Sequence, residues 1–266
     1  MGWLSIKEGQ ERKANNIHIK RNPSMMKLKF IFTAFLIYAG IAAAQTDAAE
    51  NKTKKEDFSD DWANISKYQK ENEVIGLPKK GEKRVVFLGS SIFEFWKQKD
   101  PEYFSAHAYI DRGISGQISS QLLIRFRQDV INLKPRAVII LAGSNDLAGS
   151  KGHVNNETIL NNVKSMAELA RKNRIKVIIC KYLPVYEYPW NKALKGAADQ
   201  IISLNEALVA YAKLNNFTVL DYFTPLVDER NGQKAEYTTD GVHPNLAGYK
   251  VMEVVTDEAI RKTIGN

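Results

Sequence analysis

Short, nearly unbroken apolar runs punctuate the chain. Arg84–Gly89 (RVVFLG), Ala137–Ala142 (AVIILA), Lys176–Cys180 (KVIIC) and Thr218–Tyr222 (TVLDY) are rich in β-branched residues and too short for helices. Runs of this kind predict strands buried on both faces, as in a parallel sheet. Between them the apolar period changes to that of a helix. Leu123, Phe126, Val130 and Leu133 share a helical spacing, and amphipathic stretches follow near 157–173 and 197–215. A last helix is expected to open at Asn245, a good N-cap residue, and to bury Val251, Val254, Val255 and Ala259. Strands alternating with helices predict one α/β domain over residues 58–264, with a mainly parallel sheet covered on both sides. No internal repeat interrupts it.

The N-terminal part follows a different pattern. Met25–Gln45 reads MMKLKFIFTAFLIYAGIAAAQ, in which Lys27 and Lys29 precede the apolar stretch Phe30–Ile41 and the small residues Ala42–Ala44. This order of charge, apolar run and small residues is that of a secretory signal peptide cut after Ala44. The apolar run is shorter than the roughly 20 residues a membrane span needs. Export as a soluble protein is therefore expected, with an uncleaved N-terminal anchor as the alternative. Residues 1–24 are polar, so Met25 or Met26 is a candidate start. Residues 45–57 are polar and charged and read as a linker.

Charge adds one exclusion. The chain has 38 basic and 30 acidic residues, a formal net charge of +8, but seven of the basic and only two of the acidic residues precede residue 45. From there on the excess is small, so a nucleic-acid partner is not expected. The single cysteine, Cys180, ends an apolar run and reads as a buried core thiol; no disulfide framework is available.

Candidate chemistry gathers at four short stretches, three of which directly follow a strand or strand-like run. They are Gly89-Ser90-Ser91-Ile92, Arg112-Gly113-Ile114-Ser115-Gly116, Gly143-Ser144-Asn145-Asp146 and Asp240-Gly241-Val242-His243-Pro244. In open α/β sheets ligands bind at the carboxyl ends of strands, where these stretches fall. Each alone has a plain explanation as a cap or a turn. Together they hold what acyl transfer by serine requires: a nucleophile (Ser90 or Ser91), a base, a carboxylate to orient the base, and donors for an oxyanion. Of four histidines, His18 precedes the apolar N-terminal run and His107 enters a strand-like run. His153 lies in a Gly/Ser/Lys-rich loop, and His243 follows Asp240 by three residues. That spacing lets Asp240 hold an imidazole tautomer, and it favours His243 over His153. A G-x-S-x-G elbow, HExxH, a Walker loop and GxGxxG are all missing, and the histidines are too scattered for a metal site.

In order and spacing the four stretches resemble the sequence blocks of the SGNH, or GDSL, hydrolases. The resemblance runs from Asp61-Trp62-Ala63-Asn64 to the final helix. It implies a flavodoxin-like, three-layer α/β/α sandwich around a central, mainly parallel sheet. It also implies that Ser91, third in its block, is the nucleophile, His243 the general base and Asp240 its partner. The oxyanion hole would then comprise the N–H groups of Ser91 and Gly116 and the side-chain amide of Asn145. Family members hydrolyse acyl esters or thioesters and use no cofactor or metal. One departure stands out: Ser90 occupies the place where the family usually has Asp.

The expected reaction is ester hydrolysis through an acyl-enzyme. With export, short acyl groups such as acetyl on extracytoplasmic carbohydrate are the expected substrates. The aromatic stretch Tyr182–Trp190 is a candidate sugar-facing segment. A lysophospholipase or thioesterase, and a non-catalytic carbohydrate-binding protein on the same fold, are the alternatives. Phe95 and Trp96, soon after the nucleophile, are expected in the core.

Overall fold

The protein is described here from a computed structural model covering residues 60–152 and 154–265. The expected signal peptide and linker, His18 and His153 lie outside the described residues.

Five parallel strands form the sheet: β1 (Val85–Gly89), β2 (Tyr109–Gly113), β3 (Ala137–Ile140), β4 (Lys176–Lys181) and β5 (Thr218–Asp221), in the order β2-β1-β3-β4-β5. Four are the apolar runs of the sequence. The fifth, β2, is the strand-like run after His107, which carries Asp111 and Arg112 in its middle. Both are buried, so a strand lying between two helical layers here includes charges that hide its apolar pattern. Strand order 2-1-3-4-5 is that of a flavodoxin-like sheet.

The helices are α1 (Gln69–Ile75), α2 (Ser91–Lys99), α3 (Pro101–Ser105), α4 (Ser119–Asp129), α5 (Ser144–Leu147), α6 (Asn156–Lys172), α7 (Ala197–Leu214), α8 (Phe223–Leu226) and α9 (Leu246–Ile264). On one side α2 packs on β1 and β2 while α9 packs on β3, β4 and β5; on the other, α4, α6 and α7 cover the sheet. The result is the three-layer sandwich. The spacing of Leu123 to Leu133 holds only as far as Asp129, after which a 3₁₀ turn, Ile131–Leu133, completes the segment.

Asn245 caps α9 as expected: its side-chain oxygen accepts from Gly248 N–H at 3.0 Å. The buried face of that helix differs from the expected one. Tyr249, Met252, Thr256, Ala259 and Ile260 face inward, whereas Val254 is 69% exposed and Val251 and Val255 are half-buried. Tyr249 and Met252 select the face because α9 must meet the aromatic cluster under α2. There Trp96 stacks on Tyr103 and Tyr249, with centroids 5.0 and 5.4 Å away, and meets Phe87 and Phe104 edge-on. Truncating such a side chain to alanine costs about 3–5 kcal/mol.

Register determines where the chemistry falls. Gly89 pairs with Gly113, so β1 and β2 end side by side, and Leu141 N–H continues the ladder to Leu88 at 3.0 Å. The three segments after β1, β2 and β3 therefore emerge at one edge of the sheet.

Candidate active site

Ser91 sits at the point where β1 becomes α2. Ser90 adopts φ −115° and ψ −143°, which turns the chain sharply, and Ser91 is the first residue of the helix. Glycine on both neighbouring strands permits this. A Cβ on Gly89 would lie 2.8 Å from the Phe93 ring, and one on Gly113 would lie 2.3 Å from Glu94 N and 2.8 Å from the Ser90 carbonyl oxygen. Backbone and helix thus approach more closely than any side chain allows.

His243, the candidate base, arrives from the turn before α9. Asp240 Oδ1 accepts from the N–H groups of Val242 and His243 at 2.9 and 2.8 Å, an Asx-type turn that aims the carboxylate at its own histidine. Its Oδ2 lies 2.7 Å from His243 Nδ1, and His243 Nε2 lies 2.9 Å from Ser91 Oγ. Partial burial works against ionisation of Asp240, but the hydrogen bonds from the His243 ring and from the two backbone N–H groups prevail and hold its carboxyl below the usual range. With Asp240 ionised, Nδ1 carries the proton and donates to it, which leaves the Nε2 lone pair facing the serine hydroxyl.

Several contacts hold this turn in place. Thr238 Oγ1 donates to the His243 carbonyl at 2.9 Å, and Gln233 Nε2 donates to the Val242 carbonyl at 2.6 Å. Tyr249 Oη, on α9, donates to the Ile92 carbonyl at 2.9 Å and so ties the helix after the base to the helix of the serine. The imidazole is flanked by two rings, Phe95 with its centroid at 5.2 Å and Trp190 at 5.9 Å. Phe95 is thus half-buried against the site rather than in the core, because four residues after Ser91 brings it to the same helix face. Trp96 is in the core, as expected.

The segment Ile114–Ile118 borders the serine. Ile114 N–H donates to the Gly89 carbonyl at 3.2 Å, and Asn145 Nδ2 donates to the Gln117 carbonyl at 3.0 Å. Asn145 is therefore joined to the loop of Gly116, with one amide hydrogen engaged there and its second free to point elsewhere. Gly116 has φ +77°, and nothing lies within 4 Å of the place a Cβ would take, so its backbone faces open space.

Beneath the loop lies a buried charged frame that the sequence alone did not reveal. Arg125 is fully buried; it donates to the carbonyls of Gly89 and Arg112 at 2.9 and 2.7 Å, to Gln117 Oε1 at 2.6 Å and to Asp129 at 2.9 Å. One guanidinium thus joins the ends of β1 and β2 to the Gly116 loop. Arginine suits this because its planar fork reaches several acceptors at once. Asp146 accepts from Ser119 N–H and Oγ; burial pushes its carboxyl up despite those bonds.

The other candidates lie apart. Ser90 is buried at the residue before α2, and the hydroxyl within reach of His243 is that of Ser91. His107 packs its ring on Tyr109 and directs Nδ1 to the Tyr103 carbonyl at 2.8 Å. The Cys180 thiol is buried, which pushes its pKa well up and makes it inert. Within Tyr182–Trp190, Tyr182, Leu183, Val185 and Tyr188 are core, while Tyr186 and Trp190 are about half exposed. Glu94, Gln117, Arg125 and Trp190 are the site neighbours that the motifs do not mark. Helical spacing from Ser91 was the available signal for Glu94, and the aromatic stretch Tyr182–Trp190 was that for Trp190; Gln117 and Arg125 had none.

A serine, a histidine and a carboxylate thus stand in a hydrogen-bonded row at the carboxyl edge of a parallel sheet, an arrangement suited to acyl transfer. Residues 87–251 match the GDSL-like lipase/acylhydrolase family, and the chain belongs to that family. It is a carboxylic-ester hydrolase. A crystal structure of a GDSL-like lipase from Bacteroides thetaiotaomicron is 46% identical, with a TM-score of 0.74, and the match covers 76% of this chain and 99% of that one. Two curated proteins share shorter segments. An uncharacterized lipoprotein from Bacillus subtilis is 32% identical over 29% of this chain and 33% of its own length. An acetylxylan esterase from Xylanibacter ruminicola is 25% identical over 50% of this chain and 30% of its own. The chain thus spans about a third of the length of these curated relatives.

Proposed function

We propose that the protein removes short acyl groups, acetyl foremost, from carbohydrate outside the cytoplasm, using Ser91, His243 and Asp240. Ser91 Oγ attacks the ester carbonyl while His243 Nε2 takes its proton, and Asp240 stabilises the imidazolium. The negative oxygen is held by the N–H groups of Ser91 and Gly116 and by the Asn145 amide. Collapse of the tetrahedral species expels the alcohol, which takes the proton from His243. Water then attacks the acyl-enzyme with the same histidine as base. The observation that carries this reading is the continuous row Ser91 Oγ–His243 Nε2 at 2.9 Å and His243 Nδ1–Asp240 Oδ2 at 2.7 Å.

Two observations favour carbohydrate. One segment-level relative is an acetylxylan esterase. Trp190 also presents a half-exposed ring beside His243, a flat apolar surface on which a sugar ring can stack. Export is supported by the apolar N-terminal segment and by the lipoprotein relative; no helix among the described residues is long and apolar enough to cross a membrane. Cleavage near Ala44 would leave the hydrolase domain of residues 58–264 preceded by the linker of residues 45–57.

The test compares wild type, Ser90→Ala and Ser91→Ala on p-nitrophenyl acetate, butyrate and octanoate and on acetylated xylo-oligosaccharides, with circular dichroism to confirm folding. Loss of turnover in Ser91→Ala alone, with acetyl esters preferred, is the expected result. Retained turnover in Ser91→Ala would refute the nucleophile assignment, and preference for octanoate would refute the substrate class.

A further inference from the structure

We infer that Glu94 is a positioning residue for the oxyanion-binding loop, and that Lys67 offsets the charge this places beside the reaction centre. The inference rests on the roles proposed above for Ser91 and Gly116. Glu94 lies three residues after Ser91 on α2 and accepts the Ser115 N–H at 2.6 Å through Oε2; its Oε1 is paired with Lys67 Nζ. Ser115 immediately precedes Gly116. The helix that carries the nucleophile therefore also grips the loop that supplies an oxyanion donor, one peptide unit away from it.

The grip has a reason in the backbone. Ser115 is exposed, and Gly116 at φ +77° has open space around its Cα, so the 115–116 peptide has little packing to orient it. Ile114 is tied to Gly89 behind it and Gln117 to Asn145 and Arg125 ahead of it. Between these anchors the Glu94 carboxylate fixes the Ile114–Ser115 peptide, whose N–H it accepts, at the entry of a turn closed by Gln117 N–H on the Ile114 carbonyl at 3.2 Å, and so sets where the Ser115–Gly116 peptide starts. A charge-assisted bond to a backbone N–H suits this task, being stronger than a neutral one. It also brings a negative charge close to a developing oxyanion, which it would oppose. Lys67, on the short 3₁₀ turn Ile65–Tyr68, supplies the compensating positive charge. An ion pair with a partner 37% exposed contributes little to stability, so its effect is expected in turnover rather than in folding.

The experiment measures kcat and KM on p-nitrophenyl acetate for Glu94→Ala, Glu94→Gln, Lys67→Met and the double variant Lys67→Met/Glu94→Gln, with thermal melts alongside. A misplacement of about 1 Å lowers rates by about 100-fold. Glu94→Ala is expected to lose about 10- to 100-fold in kcat with KM within about threefold. Glu94→Gln, whose amide oxygen still accepts from Ser115, should recover most of that loss. Lys67→Met leaves the carboxylate uncompensated and should lower kcat several-fold, and the added Glu94→Gln should restore it, a coupling that independent sites would not show. A folded Glu94→Ala with wild-type kcat overturns the inference, and so does an equal loss in Glu94→Ala and Glu94→Gln. If Glu94→Ala does not fold, the Lys67 pair decides: restoration in the double variant supports the inference, and no restoration overturns it. Failure of the nucleophile assignment would appear separately, as activity in Ser91→Ala.

Discussion

Replacing Gly113 by alanine tests how tightly the strand ends hold Ser91, the proposed nucleophile. The added methyl would sit 2.3 Å from Glu94 N, 2.8 Å from the Ser90 carbonyl oxygen and 3.0 Å from Asp111 Oδ1. Ordinary carbon contacts begin near 3.4 Å, so α2 and β2 must separate by about 1 Å. Two of the three obstructing atoms belong to backbone on either side of Ser91, so the movement falls on the nucleophile turn itself. Overpacking of this kind costs about 1–3 kcal/mol of stability. The catalytic cost is larger, because displacing Ser91 by that distance from His243 and the Gly116 loop lowers kcat/KM by about 100-fold. Activity on p-nitrophenyl acetate and urea denaturation would be measured on Gly113→Ala beside Gly81→Ala. At Gly81 φ is +84° and nothing lies within 4 Å, so only backbone strain of about 1–2 kcal/mol is expected there, with turnover retained. A folded Gly113→Ala with kcat/KM within twofold of wild type would show that the approach of β2 to α2 does not position the serine.

Two further outcomes follow from the site. Asn145→Ala removes the proposed side-chain oxyanion donor and is expected to lower kcat by about 10²–10³ with the fold retained by circular dichroism; unchanged turnover would remove Asn145 from the proposed oxyanion hole. Asp111 is buried, and that burial raises its carboxyl to about 7 despite the Gly113 N–H and the neighbouring arginines. Between about pH 4 and 7 the folded chain therefore holds a proton the unfolded chain has lost, so Asp111's contribution to stability falls as pH rises through that window. Asp111→Asn abolishes this dependence. Its stability relative to wild type should improve from pH 5 to pH 8 by an amount on the order of a few kcal/mol, and an offset that stays constant would contradict it.

The candidate site motifs were legible because each holds a residue type that packing rarely demands in a strand-end loop. Ser91, Asn145, Asp240 and His243 follow buried strands or precede a capped helix, and those elements show in the apolar period. Asp240 and His243 are three residues apart in one turn, so their contact could be anticipated locally. The choice between Ser90 and Ser91 could not be made from pattern, since both follow Gly89. It depends on the fold, which starts the helix at Ser91 and brings Ser91 Oγ to 2.9 Å from His243 Nε2. Strand β2 was obscured because Asp111 and Arg112 interrupt its apolar run, and their partners, Tyr68, Glu71 and Asn72, lie about forty residues away in the chain.

What the chain by itself determined is the alternation of buried strands with amphipathic helices, the helix cap at Asn245 and the inventory of candidate serine, histidine, carboxylate and amide side chains. These depend on local sterics, solvation and spacing, which act over a few residues. The tertiary structure decided which face of α9 is buried, which serine meets the histidine, and which neighbours support the site. Arg125 reaches Gly89, Arg112 and Gln117 at once, and Trp190 meets His243 from a different loop. Such contacts exist only after the sheet has brought distant segments to one edge, so no periodicity along the chain records them.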